Sequence, residues 1–124
     1  GKRIGPPEIE AAMTLTGKVI DAAAIAAPDA LKGVAVVVVC VAAPGVTPDA
    51  ALVGFLKNAV GTAVSKPFRP REIHFVEALP KTRTMKTMRR IVRAAFLGED
   101  PGDLSSVQNP ETIAPIEALQ GKQT

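Results

Sequence analysis

The run Val34-Ala35-Val36-Val37-Val38-Val39-Cys40-Val41-Ala42 decides how this chain folds. A strand with one wet face alternates polar and apolar residues, and this run has no polar side chain to put outward. It is therefore predicted to be a central strand, covered on both faces. A second apolar run, Val19 to Ala27, precedes it. Between them lies Pro28-Asp29-Ala30-Leu31-Lys32-Gly33, a connection with turn residues at both ends. The two runs are expected to pair antiparallel.

Working outward from that pair, Pro6 and Pro7 suit the first positions of a helix. In that helix Ile9, Ala12 and Met13 share a face until Thr16-Gly17 stops it. Downstream, Ala43-Pro44-Gly45-Val46 breaks the sheet. Thr47-Pro48-Asp49 reads as a cap, a first-turn proline and a first-turn acid for a core-supporting helix carrying Leu52, Val53, Phe55, Leu56 and Val60. Lys66-Pro67-Phe68-Arg69-Pro70-Arg71 reads as a rigid, extended basic linker, and Ile73, Phe75 and Val76 mark a short strand ending at Leu79-Pro80. Next, Thr84 is a credible N-cap for an amphipathic helix. On it Met88, Ile91, Val92, Ala95 and Phe96 share one face and Lys86, Arg89, Arg90 and Arg93 the other. Leu97-Gly98 leads into an acidic turn, and Asn109-Pro110-Glu111 caps a last short helix that Pro115 weakens. The expected fold class is α+β: a small, mostly antiparallel sheet flanked by helices. Residues 1–124 form one domain, with 98–124 as a tail and short terminal helix.

At 124 residues the chain can bury about two-thirds of its unfolded surface and needs no disulfide or metal for a core. The formal net charge of +3 hides an asymmetry. From Lys66 to Arg93 there are nine Lys or Arg against two acids, and elsewhere six against ten, so anions are expected at that segment. A basic segment also raises nucleic acid as a partner. Base-stacking aromatics are sparse there, however, being limited to Phe68, Phe75 and Phe96, and this disfavours it. The lone Cys40 sits inside an apolar run, as expected of a buried thiol in a reducing compartment. No window reaches the roughly 18 apolar residues of a membrane span, and the start lacks an export pattern, so the cytoplasm is the expected location. No Ser or Cys nucleophile stands near a histidine, and no His or Cys pair has metal-ligand spacing. His74 reads as a strand residue beside Phe75, and Glu8 and Glu10 as first-turn charges favoured by the helix dipole.

That leaves Lys86 as the one reactive candidate. A cation in a first helical turn opposes the helix dipole and the unpaired N–H groups there unless an anion is bound. Together with Lys81 and Arg83 it would converge on phosphate or carboxylate; the bland alternative is an ordinary solvated helix face.

Leu79 to Arg90, LPKTRTMKTMRR, resembles the closing motif of the AMP-forming acyl-CoA synthetases of the adenylate-forming superfamily, usually PKTRSGKILRR or a close variant. The opening GKRIGPPEIE, Gly1 to Glu10, is similar to that family's GKRIGPAEIE loop, and Leu97-Gly98 through Ser105 to its short-chain synthetase tail. The resemblance implies a C-terminal lid closing over a larger N-terminal adenylating domain that binds ATP, with Mg in the parent enzyme, and an acyl acid. It implies that Lys86 is catalytic in forming the acyl-adenylate. It also implies that Gly1, Lys2, Arg3 and Gly5 line the path of the coenzyme A thiol in the second step, after the lid has turned. Lys81 and Arg83 are supporting cations, Lys86 is a possible target of a lysine acetylase and deacetylase, and the isolated domain is expected to be inactive, with no cofactor bound tightly. Two departures stand out: Thr84-Met85 replaces the usual Ser-Gly before the lysine, and Gly61 stands where close relatives can carry a basic residue for the CoA phosphate. By the same resemblance, the hinge residue and the nucleotide motifs of the larger domain lie outside this chain. The alternatives are the lid of a sibling that hands its adenylate to another acceptor, such as a carrier-protein thiol, and a free-standing anion- or nucleic-acid-binding module.

Overall fold

The computed structural model describes residues 5–31 and 33–119. Helix α1 (Pro6–Thr14) leads into strands β1 (Val19–Asp29) and β2 (Gly33–Ala42), then helix α2 (Ala50–Ala63), a single 3-10 turn (Lys66–Phe68) and strand β3 (Glu72–Phe75). Helix α3 (Arg89–Leu97) follows, and a 3-10 turn (Pro110–Thr112) runs into the short α4 (Ile113–Glu117).

The sheet order is β1-β2-β3, so β2 is central as its composition requires. β1 and β2 form a hairpin from Val19↔Ala42 to Asp29↔Gly33. Asp29 Oδ1 accepts the Leu31 N–H at 2.9 Å, and Gly33 takes a left-handed φ of 81° to close the turn. β3 adds a shorter, parallel pairing from Val37↔Glu72 to Cys40↔Phe75, with α2 as the crossover. The sheet is thus mostly antiparallel, within an α+β arrangement.

Alternate residues of β2 feed two separate cores. Val37, Val39 and Val41, with Ala23, Ile25 and Ala27 of β1, pack under α3 and α4 against Ile91, Val92, Phe96 and Ile116. Val38 and Cys40, with Ala22 and Ala24, pack under α1 and α2 against Ile9, Met13, Leu56 and Val60. The tail contributes Val107, Ile113, Ile116 and Leu119 to the α3 core. Cys40 is fully buried, donates to the His74 carbonyl at 3.5 Å, and its thiol is pushed up to about 12 by burial, which keeps it protonated and unreactive.

The structure corrects several local expectations. The cap of α2 is Asp49, whose side chain accepts the Leu52 N–H at 2.9 Å, rather than Thr47. Lys66–Phe68 coils into a 3-10 turn instead of extending. The largest correction concerns α3: it begins at Arg89, with Met88 at the N-cap, so Thr84 caps nothing and Lys86 precedes the helix. The extra residues form a hairpin-like loop closed by a Lys81↔Thr87 bridge.

Because the two cores lie on opposite faces of one sheet, their losses should add. Val60→Ala and Val92→Ala are each expected to cost about 2 kcal/mol from lost burial and the cavity left behind. In urea unfolding the double variant should lose the sum to within about 0.5 kcal/mol. A large coupling would show that the two layers are not energetically separate.

Candidate functional site

The loop between Pro80 and Met88 is built by the hydrogen bonds of its own backbone. The Thr82 N–H donates to the Lys86 carbonyl at 2.9 Å, the Met85 N–H to the Thr82 carbonyl at 2.9 Å, and the Met88 N–H to the Pro80 carbonyl at 3.0 Å. This is a three-residue hairpin loop of Arg83, Thr84 and Met85, and such loops place their third residue in the left-handed region. Met85 has φ 67°, the one positive φ of a non-glycine residue among those described. Here lies the physical reason for a glycine before the lysine in the resembling motif: that position demands a conformation L side chains resist. Met85 accordingly does not pack inward; it projects into solvent, 67% exposed.

Below the loop, Lys81 is a hub. Its ammonium lies 2.6 Å from Asp21 Oδ2 and donates to Thr87 Oγ1 at 2.8 Å. Its backbone N–H donates to Asn109 Oδ1 at 2.8 Å, and its carbonyl accepts the Gln108 N–H at 2.8 Å. Lys81 therefore fixes the base of the loop, while Arg83 is exposed at its tip. Lys86 is held through its backbone, the N–H donating to Thr82 Oγ1 at 3.1 Å. Among the described residues no hydrogen bond or ion pair engages its ammonium, and it borders a polar recess of about 350 Å³ shared with Glu10, Thr14, Asp21, Thr87 and Arg89.

The basic stripe predicted on α3 is largely committed within the chain. Arg89 donates from Nε and Nη2 to the two oxygens of Glu10, both at 2.6 Å, and these hydrogen bonds hold its guanidinium more firmly charged than usual. Arg90 donates to the Pro101 carbonyl, and Arg93 to Glu99 at 2.6 Å and to the Ala26 carbonyl at 3.0 Å. In the upstream basic stretch Arg71 is engaged by Asp29, Glu72 and the Pro28 carbonyl. Of the basic segment, Lys66, Arg83 and Lys86 are exposed cations without such partners among the described residues, where a nucleic-acid-binding protein neutralises about 6–10 phosphates.

Gly5 is the N-cap of α1, its N–H donating to Glu8 Oε2 at 2.9 Å. Glu8 is thus the first-turn acid expected. Glu10 is not: besides Arg89 it accepts the Ala24 N–H at 2.8 Å, so it ties α1, β1 and α3 together. Gly1, Lys2 and Arg3 lie outside the described residues. Gly5 borders an apolar recess of about 180 Å³ with Pro6, Ile9, Val34 and Phe68, and this recess shares no lining residue with the one at Lys86. Gly5 and Lys86 therefore border different recesses of one packed unit. Gly61 faces Arg69, whose side-chain carbons lie 3.7 Å from where a Cβ would stand, so Arg69 is the nearest cation to that position. His74 contacts Glu72 Oε1 at 2.8 Å and the Phe96 ring, as a strand residue would.

Sequence reasoning missed Asp21, Asn109 and the Glu10–Arg89 pair. Asp21 did leave a mark, as the acid inside an otherwise apolar run. Asn109 looked like a cap but makes no side-chain cap bond; its amide reaches back to Leu79 and Lys81 instead. Glu10 and Arg89 carry no local mark, since their bond joins residues far apart in the chain.

The model of the AMP-binding enzyme C-terminal domain matches residues 8–86. Acetyl-coenzyme A synthetase of Methanothrix soehngenii is 37% identical over 117 residues, covering 91% of this chain and 17% of that protein. 3-Hydroxypropionyl-coenzyme A synthetase of Metallosphaera sedula is 37% identical over 114 residues, covering 92% and 17%. Among solved structures, a Brucella canis acyl-CoA synthetase is 35% identical with a TM-score of 0.72, over 77% of this chain and 18% of that one. Acetoacetyl-CoA synthetase from Streptomyces lividans, 22% identical, shares the fold over 98% of this chain and 19% of its own, with a TM-score of 0.81. The chain spans less than a fifth of the length of these proteins.

The left-handed loop position yields a stability test. Met85→Gly should raise stability by up to about 1 kcal/mol, the relief of left-handed strain less glycine's greater loss of chain entropy. Met85→Val should lower it, because a β-branched residue tolerates that region least. Urea midpoints that moved the opposite way for both variants would refute the backbone assignment.

Proposed function

The chain belongs to the AMP-binding enzyme C-terminal domain family, and from that premise we propose that it is the lid of an AMP-forming acyl-CoA ligase acting on a short-chain acid. Its partner is an N-terminal adenylating domain of the same enzyme, which supplies the pockets for ATP and the acid. The observation that carries the reading is the state of Lys86: an ammonium without a protein partner among the described residues, on a loop whose base is locked by Lys81, Thr82 and Thr87. A fixed backbone with a free cationic tip is what a group needs to meet charge that develops only during reaction. As the acid attacks the α-phosphate and pyrophosphate leaves, the ammonium stabilises the oxygens of the transferring group. Arg83, beside it at the loop tip, adds to the field, whereas Lys81 contributes by holding the loop.

In the second step the lid turns and presents the Gly5 side. The apolar recess beside Gly5 suits the uncharged arm of coenzyme A, and Gly1, Lys2 and Arg3 are proposed to contact it in the same step. A pivot between two uses of one site requires both stations to stay fixed on one rigid body, and the bond from Glu10 to Arg89 links them. Coenzyme A is favoured over another acceptor because both relatives named above at 37% identity over 91% or more of this chain are coenzyme A synthetases. No helix among the described residues is long and apolar enough to cross a membrane, and the buried, reduced Cys40 fits the cytoplasm. The exposure of Lys86 also leaves it open to acetylation, which would remove its charge and switch off the first step.

In the full-length ligase carrying this chain, Lys86→Ala should slow adenylate formation about a hundred- to a thousandfold. Thioester formation from added acyl-adenylate should stay near normal. Lys86→Arg should not restore the first step fully, since a planar fork does not replace a compact ammonium. Pyrophosphate release and acyl-CoA formation, measured separately, check this. Loss in both half-reactions alike, or in neither, with the fold intact by circular dichroism, would contradict the role.

A further inference from the structure

We propose that Asn109 is a positioning residue for Lys86, gripping the base of the lysine loop so that the ammonium arrives aligned for adenylate formation; this rests on the function proposed above. The Asn109 carboxamide straddles Pro80. Its Oδ1 accepts the Lys81 N–H at 2.8 Å and its Nδ2 donates to the Leu79 carbonyl at 2.9 Å. An N–H can only donate and a carbonyl only accept, so the orientation of the amide is unambiguous, and both bonds need a side chain that offers a donor and an acceptor together. Proline separates the two gripped groups and has no N–H of its own for the opposing chain, which leaves this length of loop base dependent on the amide. Gln108 adds its N–H to the Lys81 carbonyl at 2.8 Å.

The grip is itself anchored. The Asn109 carbonyl accepts the Thr112 hydroxyl at 2.7 Å and the Thr112 N–H at 3.1 Å, and directly after it Ile113 and Ile116 are buried in the α3 core. A rigid path therefore runs from the core through Thr112 and Asn109 to Leu79 and Lys81. From Lys81 it passes into the loop, where the Thr82 N–H holds the Lys86 carbonyl. Asn109 touches neither the lysine side chain nor any reacting atom. Its effect is to stop the loop from tilting about its base, and a tilt near 1 Å at the tip is enough to cost about a hundredfold in rate.

The test uses the full-length ligase with Asn109→Ala, Asn109→Asp and, as a control, Lys86→Ala. Asn109→Ala should lower kcat for adenylate formation by about ten- to a hundredfold while leaving the KM for ATP nearly unchanged. Thioester formation from added acyl-adenylate should not change. Asn109→Asp keeps the acceptor for Lys81 but sets a carboxylate oxygen against the Leu79 carbonyl, two acceptors with no proton between them, so it should lose at least as much as Asn109→Ala. Amide exchange at Thr82, whose N–H closes the loop on Lys86, should quicken in both variants. Equal loss in both half-reactions, no loss in either, or Asn109→Asp as active as wild type would overturn the assignment. Should Lys86→Ala itself leave adenylate formation intact, the lid reading falls with it; should only the Asn109 variants fail to discriminate, the positioning role alone falls.

Discussion

Burying β2 on both faces is the constraint from which the rest of this molecule follows. A strand of valines in the middle of a sheet needs an apolar layer above and another below. Here α1 and α2 cover one face and α3, α4, Val107 and Leu119 the other. Each proposed functional position is tied to a different layer: Gly5 caps α1, and the lysine loop leads into α3. Their placement at separate recesses is a consequence of how the sheet is covered.

Apolar layers slide more easily than polar bonds, and the two stretches are locked by charge. Glu10 reaches from α1 to Arg89 at the start of α3 while accepting the Ala24 N–H, and Lys81 reaches Asp21 in β1. Both pairs are partly shielded from solvent, with the carboxylates 15% and 26% exposed, so screening weakens them less than a free surface pair. Desolvation offsets much of their attraction, which makes orientation rather than raw stability their main contribution. They register the lysine loop against the helix behind the opening loop.

Much of this was legible in the sequence. The two-faced strand, its antiparallel partner, the proline-led α1 and the buried face of α3 all follow from periodicity, because burial at fixed spacing leaves a local record. The start of α3 did not. Thr84 and the basic residues beyond it satisfy the local rules for a helix start, and the glycine that would have announced a hairpin loop is Met85 in this chain. Nor could the commitment of the basic stripe be read, since Arg89, Arg90 and Arg93 find their partners through tertiary contact. Thus Lys86 was singled out for a first-turn conflict that does not exist. The reason its charge stands without a partner among the described residues is the loop, whose base is held by residues far away in sequence.

The central claim is that one rigid body carries both stations and that neither remakes itself between steps. Structure determination of the proposed full-length ligase, trapped first at adenylate formation and then at thioester formation, tests it most directly. Superposition on residues 5–31 and 33–119 should bring the lids into register, with the Glu10–Arg89 bond intact and the loop from Pro80 to Met88 unchanged. Lys86 should approach the phosphate only in the first state, and the Gly5 side the thiol only in the second. A loop that refolds between the two states, or a Glu10–Arg89 bond that opens as the lid turns, would contradict the account.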